Sequence, residues 1–395
     1  MTTATLPVHP FPARMAPELA LRRLPRTHCG EEVSTVLDPM MGSGTIPVLA
    51  SVDGHRAVGF DTDPLAVMIA RTWGRPLDCT RYLESAERAT EWARAGSHRV
   101  FRHEDEEAQA FIDYWFDGVT QRRLGALTAA IAEESEDLRD ALWCAFSRLI
   151  ITKDAGASRA RDVSHSRPHR VRAGASFNPL ERFPVAARAV VVRHRSLDRR
   201  RVGQTVLRLD QGDARALPLK DSSVDMVITS PPYLQAIDYL RGHRLSLVWM
   251  GYTVGELRRL RSSSIGTERG LPTEEWDSSG VRGIADGSLS TRGAALLQRY
   301  VADLGAVFRE VHRVLKPGGH ATFVVSEATI EGVSVRLSAA LDIIAERKGF
   351  EGVEREQRGL PSSKRYLPPP KTQGTNSLDR RMRTEWCLTY RPFES

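Results

Sequence analysis

A chain of 395 residues, 41% hydrophobic and 27% charged, is long enough for one elaborated α/β domain or two ordinary ones and has the composition of a globular protein. It contains no apolar run near the ~20 residues of a membrane span, and "MTTATLPVHPFPARMAPELA" lacks the charged head and continuous apolar stretch of a signal peptide, so a cytoplasmic chain with no membrane partner is expected. The net charge of +7 favours a polyanionic partner, while Cys29, Cys79, Cys144 and Cys387 form no CxxC pair and read as scattered reduced thiols rather than a zinc site.

In chain order, "STVLDPMMGSGTIPVLASVDGHRAVGFDTDPLAVMIARTWG" predicts a strand at Thr35–Asp38, a Gly turn and a helix starting near Gly44. A strand at Ala57–Phe60, an acidic turn and a helix from Pro64 follow. This βαβα pattern implies a parallel sheet. Residues 79–203 interrupt it. "QAFIDYWFDGVTQRRLGALTAAI" and "DLRDALWCAFSRLIITK" read as helices, and the remainder is basic and irregular. Charge divides accordingly: Glu84–Asp140 holds 14 acidic and 7 basic residues, and Lys153–Arg201 holds 13 Lys/Arg against 4 Asp/Glu. The basic half is a candidate phosphate-contacting surface or, equally, a solvated loop. Strands resume within 204–251 in "TVLRLDQGDA" and "VDMVITSPPY". A second insertion, 252–293, is rich in Gly, Ser and charge. Residues 294–395 then read as an amphipathic helix, a Pro-Gly-Gly turn, a strand, a helix near Val333–Lys348, the loop "LPSSKRYLPPPKTQGTNS" and a strand near "EWCLTY".

The strand ends hold the chemistry-bearing residues. Gly42-Ser43-Gly44 follows a strand and opens a helix, so backbone N–H groups can approach a ligand at the positive end of that helix. Packing alone can also require such a turn. Asp61, at the end of the second strand, can accept hydrogen bonds from ribose hydroxyls or cap the next helix, and Asp63 can take the capping role. Asp213 falls at the same edge of a parallel sheet, where ligands sit. The turn "DPMMGSGT" is shorter than GxGxxG and suits adenosine bearing a sulfonium-linked amino acid better than a pyrophosphate.

These residues carry a family resemblance. "DPMMGSGT" resembles the cofactor motif DPFxGSGT of S-adenosylmethionine-dependent amino-methyltransferases, and "TSPPY" resembles their catalytic motif (S/D/N)PP(Y/W). "HPFPARMAPEL" is similar to the segment that closes over the methionine part of the cofactor in the DNA-modifying members. "SPPYLQAIDYLR" followed by "VLKPGG" also looks like bacterial DNA methylases. The likeness covers about His9–Trp73 and Val206–Val325, roughly half of the sequence. Met40 departs from it, standing where the family commonly has Phe.

The resemblance implies an α/β class I methyltransferase (Rossmann-like) fold, a doubly wound, mostly parallel sheet with an inserted helical and basic region. Residues 1–78 would carry the cofactor motifs, 204–251 the catalytic motif and 294–395 the rest of the catalytic domain. It implies S-adenosyl-L-methionine as cofactor, held by Phe11, Pro12, Ala13, Arg14, Asp38, Pro39, Met40, Gly42, Ser43, Gly44, Thr45, Asp61 and Asp213. The catalytic residues would be Ser230, Pro231, Pro232 and Tyr233. Double-stranded DNA is the implied partner, with Arg159, Arg161, His165, Arg167 and Arg170 as its candidate contacts. A cognate restriction endonuclease or a defence system is a further candidate partner. Which of the two insertions reads the bases is left open.

The chemistry suits the residue types. An exocyclic amino group is a poor nucleophile because its lone pair is delocalised into the base. Acceptors placed around its two N–H bonds, the Ser230 hydroxyl oxygen and the Pro231 carbonyl, can draw the nitrogen towards tetrahedral geometry. Prolines hold that carbonyl at fixed φ, and Tyr233 can stack on a base that has left the duplex. Pro-Pro with a core tyrosine is the bland alternative. No Pro-Cys dipeptide is present for carbon-5 chemistry, and methyl transfer from a sulfonium needs no metal, so His165 and His169 are not expected to ligate one. Asp238 and Tyr239 border the motif and can equally cap or pack. Within the resembling family, Ser before Pro-Pro favours N4 of cytosine, with N6 of adenine as the alternative. A tRNA guanine-N2 methyltransferase is a further rival, disfavoured because the cofactor strand starts by Thr35, leaving no room for an N-terminal RNA-binding domain. A non-catalytic nucleic-acid-binding module is another, disfavoured by the intact motifs.

Overall fold

The computed structural model describes residues 8–10, 15–24, 33–96, 101–152, 156–160, 163, 168–174, 177–197, 206–234, 239–267, 282–359 and 384–393. A short helix, α1 (Pro17–Arg23), precedes β1 (Thr35–Asp38). Then come α2 (Thr45–Val52), β2 (Arg56–Asp61) and α3 (Pro64–Gly74). Val36, Leu37, Ala57 and Phe60 are fully buried, as expected of strands covered on both faces. Pro64 stands at the first turn of α3, where its missing N–H costs nothing.

The first insertion supplies α4 (Cys79–Ala95), α5 (Glu106–Trp115), α6 (Gly118–Ala132), α7 (Glu136–Ile150) and α8 (Pro179–His194). After it come β3 (Leu207–Gln211), β4 (Val224–Thr229), α9 (Tyr239–Leu247) and α10 (Val254–Ser263). The long amphipathic α11 (Thr291–Val314) leads into β5 (Leu315–Val325), the hairpin β6 (Ala328–Ile330) and β7 (Val333–Val335), then α12 (Leu337–Arg347), β8 (Phe350–Gly359) and β9 (Thr384–Pro392). Among the described residues no helix is long and apolar enough to cross a membrane.

One seven-stranded sheet runs in the order β3-β2-β1-β4-β5-β9-β8. The pairs β1–β2, β1–β4, β2–β3 and β4–β5 are parallel, and β9 is antiparallel to both neighbours. This is the class I methyltransferase (Rossmann-like) arrangement. The strand order reverses between β1 and β4, so the loops leaving those strands diverge and open a crevice at their carboxyl ends.

One face is covered by α11 and α12, whose Leu304, Phe308 and Leu341 pack with Phe323 of β5. On the other face α2 packs with β1–β4. The inserted helices share one apolar cluster with α3 and α9, including Ile69, Tyr82, Leu142, Phe183 and Trp249. The insertion therefore thickens that layer and buttresses the helix that follows TSPPY.

Four local expectations are corrected. The stretch "QAFIDYWFDGVTQRRLGALTAAI" is two helices, because Asp117 accepts from Thr120 N at 2.9 Å and starts a new one. The Pro-Gly-Gly is no turn between helix and strand. β5 begins at Leu315 and absorbs it as an irregularity opposite Val224–Met226, with Gly318 at φ +77°. Val333–Val335 is strand, and its helix starts only at Leu337, after a turn at Glu331 and Gly332 with φ of +51° and +88°. β8 was not foreseen because "FEGVEREQRG" is an edge strand whose side chains are mostly exposed, leaving no apolar alternation to read. The loop "LPSSKRYLPPPKTQGTNS" lies outside the described residues.

Candidate active site

Hydrogen bonds join the carboxyl ends of the central strands. Asp38, buried at the end of β1, accepts from Met40 N at 3.1 Å and from the Thr229 hydroxyl of β4 at 2.7 Å. Met41 N donates to Phe60 O at 2.9 Å, and Gly42 N donates to Asp61 Oδ2 at 2.8 Å. The other oxygen of Asp61 accepts from Asp63 N at 2.9 Å, and its carbonyl accepts from Gly212 N at 3.1 Å. The ends of β3, β2, β1 and β4 are thus tied in that order along one rim.

The Gly turn is conformationally demanding. Gly44 caps α2 at φ +83°, and a Cβ there would lie 2.6 Å from the Ala70 Cβ, so only glycine fits. Gly42 also has positive φ, +51°. Between them the Ser43 hydroxyl is buried without a hydrogen-bond partner, while its carbonyl accepts from Trp73 Nε1 at 2.6 Å. Pro39 and Thr45 are buried, and Met40 is half-buried, against the apolar cluster of the α11 face.

Burial pushes the Asp38 carboxyl up to about 7, against the pull of its bonds from Thr229 and Met40. Burial also raises Asp61, to about 6, helped by the negative charge of Asp63 and opposed by the Asp63 and Gly42 N–H groups and by His243.

Residues Ser230, Pro231, Pro232 and Tyr233 continue the same rim. Ser230 donates its hydroxyl hydrogen to Val324 O of β5 at 3.1 Å. Pro231 is buried, and the Pro232 carbonyl accepts from the buried Tyr300 hydroxyl at 3.0 Å. The Tyr233 hydroxyl donates to Glu385 Oε1 over a long 3.4 Å, and Glu385 is held by Arg358 at 2.6 Å. Tyr300, Glu385 and Arg358 were missed in the sequence. Tyr300 reads there as a core position of an amphipathic helix, and the other two lie in strands remote from any motif.

Asp213 stands at the same edge, but Arg215 clamps its carboxylate at 2.7 Å while also holding Asp303 at 2.6 Å and the Ser263 carbonyl. Phe11–Arg14 lie outside the described residues. Before them the Val8 carbonyl accepts from Arg148 at 2.8 Å, and after them Leu19 of α1 packs with Val324 and Cys387. Of the five basic candidates, Arg159 and Arg170 fall within the described residues. Arg161, His165 and Arg167 lie outside the described residues, as does Asp238. Arg159 reaches inward to the carbonyls of Asp113 and Tyr114, both at 3.2 Å. Arg170 is exposed, its guanidinium 5.4 Å from the centroid of the half-exposed Tyr114 ring. The unforeseen Arg172 pins the segment by bonding the carbonyls of Gly156, Ser158 and Ala160. Val163 touches α9: a Cβ on Gly242 would lie 2.6 Å from the Val163 carbonyl.

No protein-family model matches the chain. It is 23% identical over 404 aligned residues to the Type II methyltransferase M.MvaI of Kocuria varians, an alignment covering 94% of this chain and 86% of that protein. Over most of its length the chain is thus similar to a Type II methyltransferase. A second member, M.BsoBI of Geobacillus stearothermophilus, is 24% identical over 180 residues, covering 35% of this chain and 34% of its own. Among solved structures, a Thermus thermophilus protein assigned as a DNA modification methylase, in complex with S-adenosyl-L-methionine, aligns at 19% identity. It covers 47% of this chain and 52% of that one, with a TM-score of 0.26.

Proposed function

We propose that this protein is a site-specific DNA methyltransferase. It moves a methyl group from S-adenosyl-L-methionine to the exocyclic amino group of a base flipped out of the duplex, with N4 of cytosine favoured over N6 of adenine. The observation that carries this reading is the 2.7 Å hydrogen bond from Thr229 to Asp38. It fastens the first residue of TSPPY to the first residue of DPMMGSGT, so donor and acceptor motifs share one crevice. The Type II methyltransferase relatives support DNA as the substrate. A cytoplasmic setting and a cognate endonuclease or defence system belong to the same reading.

The residues fit the cofactor. The glycine turn lets backbone approach a ligand, the buried Ser43 hydroxyl has no other partner, and each Asp61 oxygen accepts one N–H, leaving capacity for ribose hydroxyls. Phe11–Arg14 would close over the amino-acid part. When bound, S-adenosyl-L-methionine supplies an electrophilic methyl on a sulfonium. Ser230 commits its only hydrogen to the Val324 carbonyl, so towards the base its oxygen can act solely as acceptor. The Pro231 carbonyl is the second acceptor, on a backbone fixed by two prolines and by the Tyr300 bond to Pro232. Together they draw the amino nitrogen towards tetrahedral geometry. Tyr233, tethered through Glu385, offers its ring for stacking on the flipped base.

Incubation of the purified protein with labelled S-adenosyl-L-methionine and either duplex DNA or tRNA tests the reading. Label entering DNA is expected. Label entering tRNA alone would make this an RNA methyltransferase instead.

A further inference from the structure

A buried aspartate–histidine contact beside the Asp61 turn has no role in the chemistry above. Asp63 caps α3 through Oδ1, which accepts from Leu65 N at 2.9 Å. Its other oxygen meets Nδ1 of His243 at 2.5 Å, and both side chains are almost fully buried. The Asp63 backbone N–H in turn donates to Asp61, so two carboxylates sit two residues apart on the same partly buried turn. Like charges so placed oppose each other's ionisation, yet Asp61 must be ionised to accept from two ribose hydroxyls.

We propose that His243 is an electrostatic positioning residue for the cofactor site: its imidazolium, held on Asp63, offsets the second negative charge and keeps Asp61 ionised and able to accept from the ribose. The inference rests on the reading of Asp61 as the ribose carboxylate. It also gives α9 a part in both halves of the site. The helix follows TSPPY in the chain, and through His243 it reaches the turn that carries Asp61.

The surrounding charges are consistent with this role. His243 lowers the Asp61 carboxyl while Asp63 raises it. Tyr252 faces Asp63, and Asp38 faces Asp61. From the N-terminal segment His9 faces His243. It is buried on Ser147 at 3.1 Å and held well below the ordinary imidazole range by burial, then by Arg148 and His243.

The test is calorimetric binding of S-adenosyl-L-methionine to the full chain between pH 5.5 and 8.5. In the wild type, affinity should fall as pH drops through about 6, where Asp61 takes up its proton. In His243→Asn that fall should begin about one pH unit higher, giving roughly tenfold weaker binding near pH 6 and near-normal binding at pH 8.5. Asp63→Asn, which keeps the helix cap, should shift the fall to lower pH. Weakening by His243→Asn that is equal at every pH, or a fall that neither variant moves, would overturn the inference and leave a structural pair. Should His243→Asn fail to fold, Asp63→Asn decides by the same criterion. A wild-type protein that binds no S-adenosyl-L-methionine at any pH would overturn the functional reading itself, which is a different result from failure in the variants alone.

Discussion

The strand-end rim and the basic segment after α7, which in sequence can be a contact surface or a solvated loop, are built differently. On the rim, short motifs far apart in the chain meet through single hydrogen bonds: Thr229 to Asp38, Gly42 to Asp61, Ser230 to the β5 backbone. In the basic segment, arginines that look alike in sequence do unlike things. Arg159 and Arg172 turn inward to carbonyls, and Arg170 lies exposed over Tyr114. A residue pinned by backbone geometry has few uses, whereas an arginine's reach lets it serve either the fold or a partner.

The largest effect should come from the rim. Ser230→Ala or Tyr233→Ala should lower single-turnover methyl transfer about a hundredfold or more while changing cofactor affinity no more than a few-fold. Unchanged rates would remove these side chains from the chemistry and make the rim, like Arg172, structural.

The next tests the electrostatic cost of the rim. Asp38 is raised from an ordinary value near 3.8 to about 7, chiefly by burial. Folding thus favours its protonated form, so its contribution to stability is full below about pH 4 and is lost as pH rises through about 7. Asp38→Asn can still accept from Thr229 and carries no charge. Its stability relative to wild type in the cofactor-free protein should therefore grow between pH 4 and 7, reaching on the order of a few kcal/mol in denaturant titrations. A constant difference across that range would contradict the assignment.

Thr229→Val, nearly isosteric, removes the donor that joins the two motifs and leaves Asp38 Oδ1 with the Met40 N–H alone. It should cost about 1–3 kcal/mol and weaken cofactor binding as well as turnover. Loss of stability alone would mean the link braces the sheet without tuning the site.

The smallest effects separate the two kinds of arginine. Arg170→Ala should reduce the slope of log affinity for DNA against log salt by about 1, leaving thermal stability nearly unchanged. Arg159→Ala should lower stability and leave the slope alone. Identical behaviour of the two would erase the distinction drawn from their contacts.

The rim was legible because its residues stand in contiguous runs. Gly44 leaves no room for a Cβ, Pro231 and Pro232 follow β4 directly, and Asp63 sits at helix-cap spacing before Pro64. Tyr300, Glu385 and His243 stayed hidden for the converse reason. Each acts across the fold, separated in sequence from its partner by 68, 152 and 180 residues respectively, and no local pattern encodes such a meeting. β8 was invisible because an edge strand exposed on its flanks carries charge in place of apolar alternation. The helices of the first insertion were legible by periodicity, but not their sharing of a core with α9, which depends on tertiary packing.

Mapping modified bases in DNA from cells with and without the gene, with nucleoside mass spectrometry of the same DNA, tests most directly whether TSPPY and the cofactor turn form one amino-methylating site. The account predicts N4-methylcytosine at one short sequence context, present only with the gene and lost with Ser230→Ala. A gene-dependent mark on carbon 5 of cytosine, or no gene-dependent mark at all, would contradict it.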